Sequence, residues 1–115
     1  MREILYNGRT AAYTDGDLVV LSDRVAVLER DHPLRRFISA VCVFSCEADA
    51  GNVPGGWDSA SAELYARALL MPTELFYPHE RVLADHQLAE HFAVPLEQVR
   101  ARRGDLAAQR AARGG

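Results

Sequence analysis

The sequence predicts an α+β fold, with a small N-terminal antiparallel β-hairpin or sheet packed on a central helix and a helical C-terminal half. A turn signal, Asp15-Gly16, divides residues 10–21 into two short strand-like runs. Further along, apolar residues recur with the i, i+3, i+4, i+7 spacing of a helix: Leu34, Phe37, Ile38 and Val41. In the rest of the chain, capping residues and prolines mark the starts and ends of shorter helices.

The N-terminal third is expected to supply the sheet. Leu18–Leu21 reads LVVL, a β-branched run suited to a buried strand. Arg2–Tyr6 is compatible with a further strand or a short helix. Arg24–Glu29 has no clean period and is compatible with a strand or a helical turn.

The central helix is expected over Asp31–Cys46, with Asp31 as its cap and Pro33 in the first turn. Its middle is apolar on nearly every side, which is typical of a helix at the centre of a core. The Gly- and Pro-rich segment Ala50–Gly56 predicts a loop, and Trp57 follows it.

Four shorter helical segments are expected after the loop. Asp58 or Ser59 caps the first, which Pro72 stops after Met71. The others are a turn at 73–76 that ends before Pro78, a short helix capped by Asp85, and a last helix that Pro95 opens and that ends near Gly104. The chain is therefore expected to form one domain over residues 1–106, followed by a flexible Ala-, Arg- and Gly-rich tail over 107–115.

Composition excludes several classes of function. The 115 residues suit one core, and a net charge of −3 gives no general attraction to nucleic acid or anionic membranes. No apolar run is long enough for a membrane span and no signal peptide is evident, so a cytoplasmic location is expected. All 13 basic residues are Arg, which is typical of GC-rich coding, as in an actinobacterium or one of its phages.

Several segments together resemble a known family. Arg35-Arg36-Phe37 lies at the entry to the central helix, Leu69-Leu70-Met71-Pro72 ends the second, and Leu88–Pro95 reads LAEHFAVP. In this order the segments resemble the ImmA/IrrE-type zinc metallopeptidases, whose zincin-like fold carries an RRF segment, a HExxH helix, an LLMP segment and a closing helical pair. The resemblance covers most of the chain and implies the same scaffold.

The zinc site of that family is missing. A HExxH helix needs two His four residues apart for Zn²⁺ and a Glu as general base. Carried over from Phe37, these positions fall on Val41, Cys42 and Ser45. The third ligand, a carboxylate on the next helix, would fall near Ser59–Ala62, which reads SASA. The sequence therefore predicts a degenerate member with no catalytic residues, no metal and no other cofactor.

The leading hypothesis is a pseudo-peptidase that acts by binding another protein. The resemblance implies a helix-turn-helix repressor or other transcription regulator as the partner, because relatives act on such repressors. The expected contact surface is the former cleft, with Arg35, Val53, Trp57 and Asp58 as candidate binding residues.

Three alternatives stay open at this level. The C-terminal helices would form a DNA-binding module that contacts phosphates through Arg100, Arg102 and Arg103. Cys42 and Cys46, otherwise two buried thiols, would combine with a His to rebuild a zinc site for peptidase chemistry. An exposed edge of the N-terminal hairpin would allow pairing into a homo-oligomer.

Overall fold

The computed structural model describes residues 1–114 and has the predicted α+β architecture. Three antiparallel strands, β1 (Arg2–Tyr6), β2 (Arg9–Asp15) and β3 (Leu18–Leu21), form a sheet in the order β1-β2-β3. Six helices follow. The sheet packs on the central helix, as the sequence predicts.

Two tight turns set the register of the sheet. Asn7-Gly8 joins β1 to β2, with φ of 53° and 75° respectively, in the left-handed region that this dipeptide tolerates. The turn between β2 and β3 is Gly16-Asp17, because Asp15 pairs with Leu18. The predicted Asp15-Gly16 turn is therefore wrong by one residue. Gly16 takes its first position with φ of 59°.

The central helix is longer than predicted and shifted along the chain. A single helical turn, α1 (Asp23–Ala26), precedes α2 (Pro33–Asp49). The cap is His32, whose Nδ1 accepts from the backbone N of Leu34 at 3.1 Å, and not Asp31. Pro33 fixes this start, because its ring suits the first helical position and it needs no hydrogen-bond acceptor there.

The later helices are α3 (Ser59–Leu70), α4 (Thr73–Glu80), α5 (Asp85–Phe92) and α6 (Leu96–Gly114). Asp58 caps α3 as predicted. However, α5 is capped by Ala84, with Asp85 in its first turn. Helix α4 continues through Pro78, although the sequence predicts that this helical turn ends before that proline. The ring removes one helical hydrogen bond, and full burial of Phe76 holds the helix against that cost.

The last helix does not end near Gly104. It continues to Gly114, because Asp105 and Leu106 are held from outside the helix: Asp105 by Arg67 and Leu106 by the core. Most of the predicted tail over 107–115 is therefore helical. Its last residue, Gly115, lies outside the described residues.

Two apolar clusters form the core. The first joins the sheet to α2 and α3 and is centred on Phe37, Ile38 and Ala66. The second joins α4, α5 and α6 around Phe76, Leu88 and Leu106. No helix within residues 1–114 is long and apolar enough to cross a membrane.

The prediction that Leu18–Leu21 forms a buried strand is wrong. Leu18–Leu21 lies at one edge of the sheet, and Leu18, Val19 and Val20 are 59%, 38% and 51% exposed. The central position belongs to β2, where Ala11, Ala12 and Thr14 are buried. Small residues there let α2 approach closely, a feature that a scale of β-propensity does not register.

Candidate functional site

A small apolar cavity lies between β1, the first half of α2 and the start of α3. Its volume is about 220 Å³. Helix α2 presents consecutive turns of its apolar stripe to this space, and β1 contributes four consecutive residues, Glu3–Tyr6, of which Ile4 and Tyr6 are buried. The apolar lining comprises Ile4, Leu5, Tyr6, Phe37, Ile38, Val41 and Trp57.

The polar residues around the cavity are acidic or neutral. Glu3, Ser59 and Glu63 complete its lining. The Tyr6 hydroxyl donates to Glu97, and Gln98 Nε2 lies 3.5 Å from Glu63 Oε1, so the cavity abuts a network that includes α6. Burial, together with the Glu97 hydrogen bond, raises the pKa of Tyr6. The phenol therefore stays protonated at neutral pH and serves as a fixed donor.

Trp57 closes one side of the cavity. Its ring packs against Phe44, with ring centroids 5.9 Å apart. The guanidinium carbon of Arg2 lies 4.6 Å from the centre of the indole ring, in cation–π geometry. Trp57 is thus fixed from two sides, although part of its surface stays open.

The three positions that the resemblance assigns to the zinc motif point in different directions. Val41 lines the cavity. Cys42 lines a separate groove beside β3. Ser45 is fully buried under the sheet, and its Oγ lies 2.6 Å from both Thr14 Oγ1 and Arg2 Nη1.

The Cys42 thiol is poorly suited to nucleophilic chemistry. Burial, and to a lesser degree the neighbouring Cys46, raises the pKa of Cys42 to about 11. A reactive thiol needs the opposite environment, with a lowered pKa and access to solvent. Both cysteines are free.

The four predicted binding residues are not brought together. Only Trp57 lines the cavity. Arg35 donates to the carbonyls of Ala26 and Leu28, at 3.2 and 2.7 Å, and so fixes the segment after α1. Val53 packs on the first core cluster, and Asp58 is occupied as the α3 cap. Hydrogen bonds from Ser61 hold the pKa of Asp58 below its usual value.

Glu3 and Tyr6 were not predicted as site residues, because the sequence of β1 carries only a weak strand signal. The pairing of β1 with β2 through Asn7-Gly8 is what places both residues beside α2. Glu63 directly follows Ser59–Ala62, the stretch where the resemblance implies the third ligand. In the structure it faces the same cavity as Val41.

The arginines of the DNA-binding alternative are engaged within the protein. Arg102 is 2% exposed and donates to the Met71 carbonyl at 3.0 Å. Arg103 binds Asp85, with Nε and Oδ1 2.8 Å apart. Arg100, with 65% of its side chain exposed, also pairs with Asp85. This placement removes Arg102 from any surface that a phosphate reaches.

The histidines and cysteines do not converge. His79 and His91 lie with ring centroids 4.4 Å apart, on α4 and α5. Cys42 and Cys46 lie on α2, in the other half of the molecule. Within residues 1–114, no group of three or more His, Cys, Asp and Glu side chains is arranged to hold a metal ion.

No protein-family model matches this chain, and neither a curated protein nor a solved structure matches it. The resemblance to ImmA/IrrE-type peptidases therefore stays a prediction that rests on the sequence motifs.

Proposed function

We propose that this protein acts by binding a protein partner at the cavity between β1, α2 and α3, without catalysing a reaction on it. The observation that carries the proposal is the apolar cavity itself. Val41 lines it at the position where the resemblance implies a metal ligand. Trp57 also lines it, and its ring is held in place by packing against Phe44.

The size and lining of the cavity suit one anchoring side chain. At about 220 Å³ it is smaller than typical drug-sized sites, which span roughly 300–1,000 Å³. Interfaces often concentrate their binding energy in one apolar anchor inserted into such a pocket. A partner that inserts a Leu, Met or Phe side chain between Val41 and Trp57 would match this geometry.

The acidic rim defines the surroundings of that anchor. Glu3 and Glu63 flank the cavity on opposite elements, β1 and α3. Complementary charge favours association with a basic surface. DNA-binding proteins carry clustered Arg and Lys. The rim therefore supports a transcription regulator of the helix-turn-helix class, the partner that the family resemblance implies, acting in the cytoplasm.

Trp57 provides a direct test, because it is the single tryptophan of the chain. Its emission is titrated with synthetic peptides that carry a central Leu or Phe flanked by Arg. Matched peptides carry Ala at the centre, or Glu at the flanks. We expect saturable binding of the first set and at least a tenfold weaker affinity for both matched sets.

Variants assign the binding to the cavity. Glu63→Gln removes a rim charge and is expected to weaken the Arg-flanked peptides several-fold. Glu90→Gln, on the exposed surface of α5, is the matched control and should change nothing. Equal binding of all peptides, or mass-spectrometric detection of peptide cleavage that depends on the cavity, would contradict the proposal.

A further inference from the structure

The edge strand β3 presents an uncharged, apolar strip to solvent. Leu18, Val19 and Val20 are all substantially exposed. Val19 and Leu21 lie on the inner face of the sheet and form one wall of a groove against α2, whose residues Cys42 and Val43 line the opposite wall. The groove is largely apolar and is separate from the cavity of the proposed function.

The two edges of the sheet differ in their protection. At the β1 edge the strand has an irregular register between Ile4 and Leu5 and begins with the charged pair Arg2 and Glu3. Bulges and charges are common devices that block pairing at an edge. Strand β3 has neither feature and has no proline. It is the edge open to another strand.

The backbone of β3 is arranged for such pairing. Asp15 and Leu18 close the two-residue turn, so Leu18 and Val20 direct their N–H and C=O groups toward β2. Val19 and Leu21 therefore direct theirs outward. Among residues 1–114, no other backbone or side-chain group bonds these outward groups.

We propose that β3 pairs antiparallel with β3 of a second copy of this chain, with the two-fold axis at Val20. Directly opposed residues in an antiparallel pair share one face of the sheet. In this register Val19 lies opposite Leu21 of the second copy, and Leu21 lies opposite Val19 of the second copy. Each of these pairs exchanges both backbone hydrogen bonds through the outward groups.

The sequence selects this register over its neighbours. A two-fold pairing must keep inner residues opposite inner residues, so the register changes in steps of two residues. A slip in one direction sets Asp17 against Leu21, and a slip in the other sets Val19 against Asp23. Each alternative sets one outward-facing residue of β3 against an aspartate that lies beyond the strand. The register centred on Val20 keeps Val19 and Leu21 opposite each other, so the new hydrogen bonds form within β3, and Asp17 and Asp23 face each other only beyond its ends.

The second copy also completes the groove. The pairing brings both α2 helices to the same face of a continuous six-stranded sheet, so each groove meets its counterpart across the axis. Val19, Leu21 and Val43, which are incompletely covered in one copy, lie along that junction. Apolar surface on both sides gives the association a driving force beyond the strand hydrogen bonds.

The register predicts a specific cross-link. Val20 opposes its own copy as a pair without backbone hydrogen bonds, where Cα atoms are about 4.5 Å apart, within the range of a disulfide. We expect Val20→Cys, in a Cys46→Ser background, to form a covalent dimer under mild oxidation. Val82→Cys, at a similarly exposed position after α4, is the matched control and should stay monomeric.

Light scattering coupled to gel filtration tests the dimer without modification. The full chain at several hundred micromolar should show twice the 12.7 kDa of one copy. Val20→Lys should restore the single-copy mass, with unchanged circular dichroism, because the side chain is exposed and faces away from the core. A monomer at every concentration together with no excess cross-linking of Val20→Cys over Val82→Cys would overturn the proposal, as would a dimer that Val20→Lys leaves intact.

Discussion

Ser45 shows how a position at the centre of a resembling motif is used for stability. Its hydroxyl is fully buried, where an unpaired polar group is unfavourable, and Thr14 and Arg2 both bond it at 2.6 Å. Arg2 also pairs with Asp49 at 3.0 Å. One small side chain on α2 thus ties the helix to two strands of the sheet.

The first prediction concerns this buried pair. Ser45→Ala leaves the Thr14 hydroxyl without its partner at 1% exposure, and we expect a loss of about 1–3 kcal/mol in the free energy of unfolding. Thr14→Val should cost less, because the Ser45 hydroxyl keeps its hydrogen bond from Arg2. The double variant should cost clearly less than the sum, because neither hydroxyl remains to be satisfied.

Urea denaturation of the four proteins in this cycle measures the coupling. Ser39→Ala, on the exposed side of the same helix, is the control and should change stability by less than about 0.5 kcal/mol. Strict additivity of Ser45→Ala and Thr14→Val would show that the two hydroxyls do not act as a pair.

At the scale of elements, α6 is held in place by arginines that look like surface charges in the sequence. Arg102 donates to the Met71 carbonyl, at the end of α3, and to Thr73 Oγ1 at 3.2 Å, at the start of α4. Burial lowers the pKa of Arg102, but Asp105 nearby favours its charged form. The side chain thereby fixes the junction around Pro72.

The second prediction compares two arginines of this helix. Arg102→Ala should reduce the free energy of unfolding by about 2–3 kcal/mol, because it leaves buried oxygen acceptors unpaired. Arg100→Ala should cost less than about 1 kcal/mol, since its ion pair with Asp85 is largely exposed. Thermal and urea unfolding measure both. Equal costs would mean that Arg102 is not the structural member of the pair.

The elements differ in how far the sequence determines them. The α+β class, the α3 cap and the stop at Pro72 follow from local signals, and all three are confirmed. The end of α6 does not, because a long-range partner holds Asp105. The exposure of β3 also escapes local analysis, since an apolar strand reads the same at the centre and at the edge of a sheet.

The candidate site was harder to predict than the fold. Val41 and Trp57 follow from the motif spacing and from the loop before α3. Glu3, Tyr6 and Glu63 do not, because strand pairing and helix packing bring these residues together from distant parts of the chain. The same reason explains why the predicted arginine surface does not form. Arg102 and Arg103 bind acceptors outside α6, at Met71 and Glu80, and local sequence does not reveal such partners.

At the scale of the whole molecule, the two apolar clusters meet at one junction. Leu70, at the end of α3, packs against both. Hydrogen bonds also hold the junction together. Arg36 donates to the Ala93 carbonyl at 2.8 Å. Arg67 donates to both carboxylate oxygens of Asp105, at 2.7 and 2.9 Å. Such two-point contacts fix orientation as well as distance.

The third prediction removes the strongest of these bonds. Arg67 and Asp105 are both largely buried, with side chains 13% and 12% exposed, so Arg67→Ala leaves the Asp105 carboxylate with only its longer contact, 3.9 Å to Arg102. We expect a loss of about 3 kcal/mol in the free energy of unfolding. Arg67→Lys should fall between the variant and the native protein, because Lys keeps the charge without the two-point contact.

Hydrogen exchange with mass spectrometry shows which helices lose protection when the free energy of unfolding falls. Amides of α5 and α6 should exchange faster in Arg67→Ala, while those of α2 keep most of their protection, because the first cluster retains the sheet, α2 and α3. Arg100→Ala is the control, with native exchange in both halves. An equal rise in α2 and α6 would show instead that the two clusters open together, so that the apolar contact at Leu70, rather than the Arg67–Asp105 pair, makes the domain cooperative.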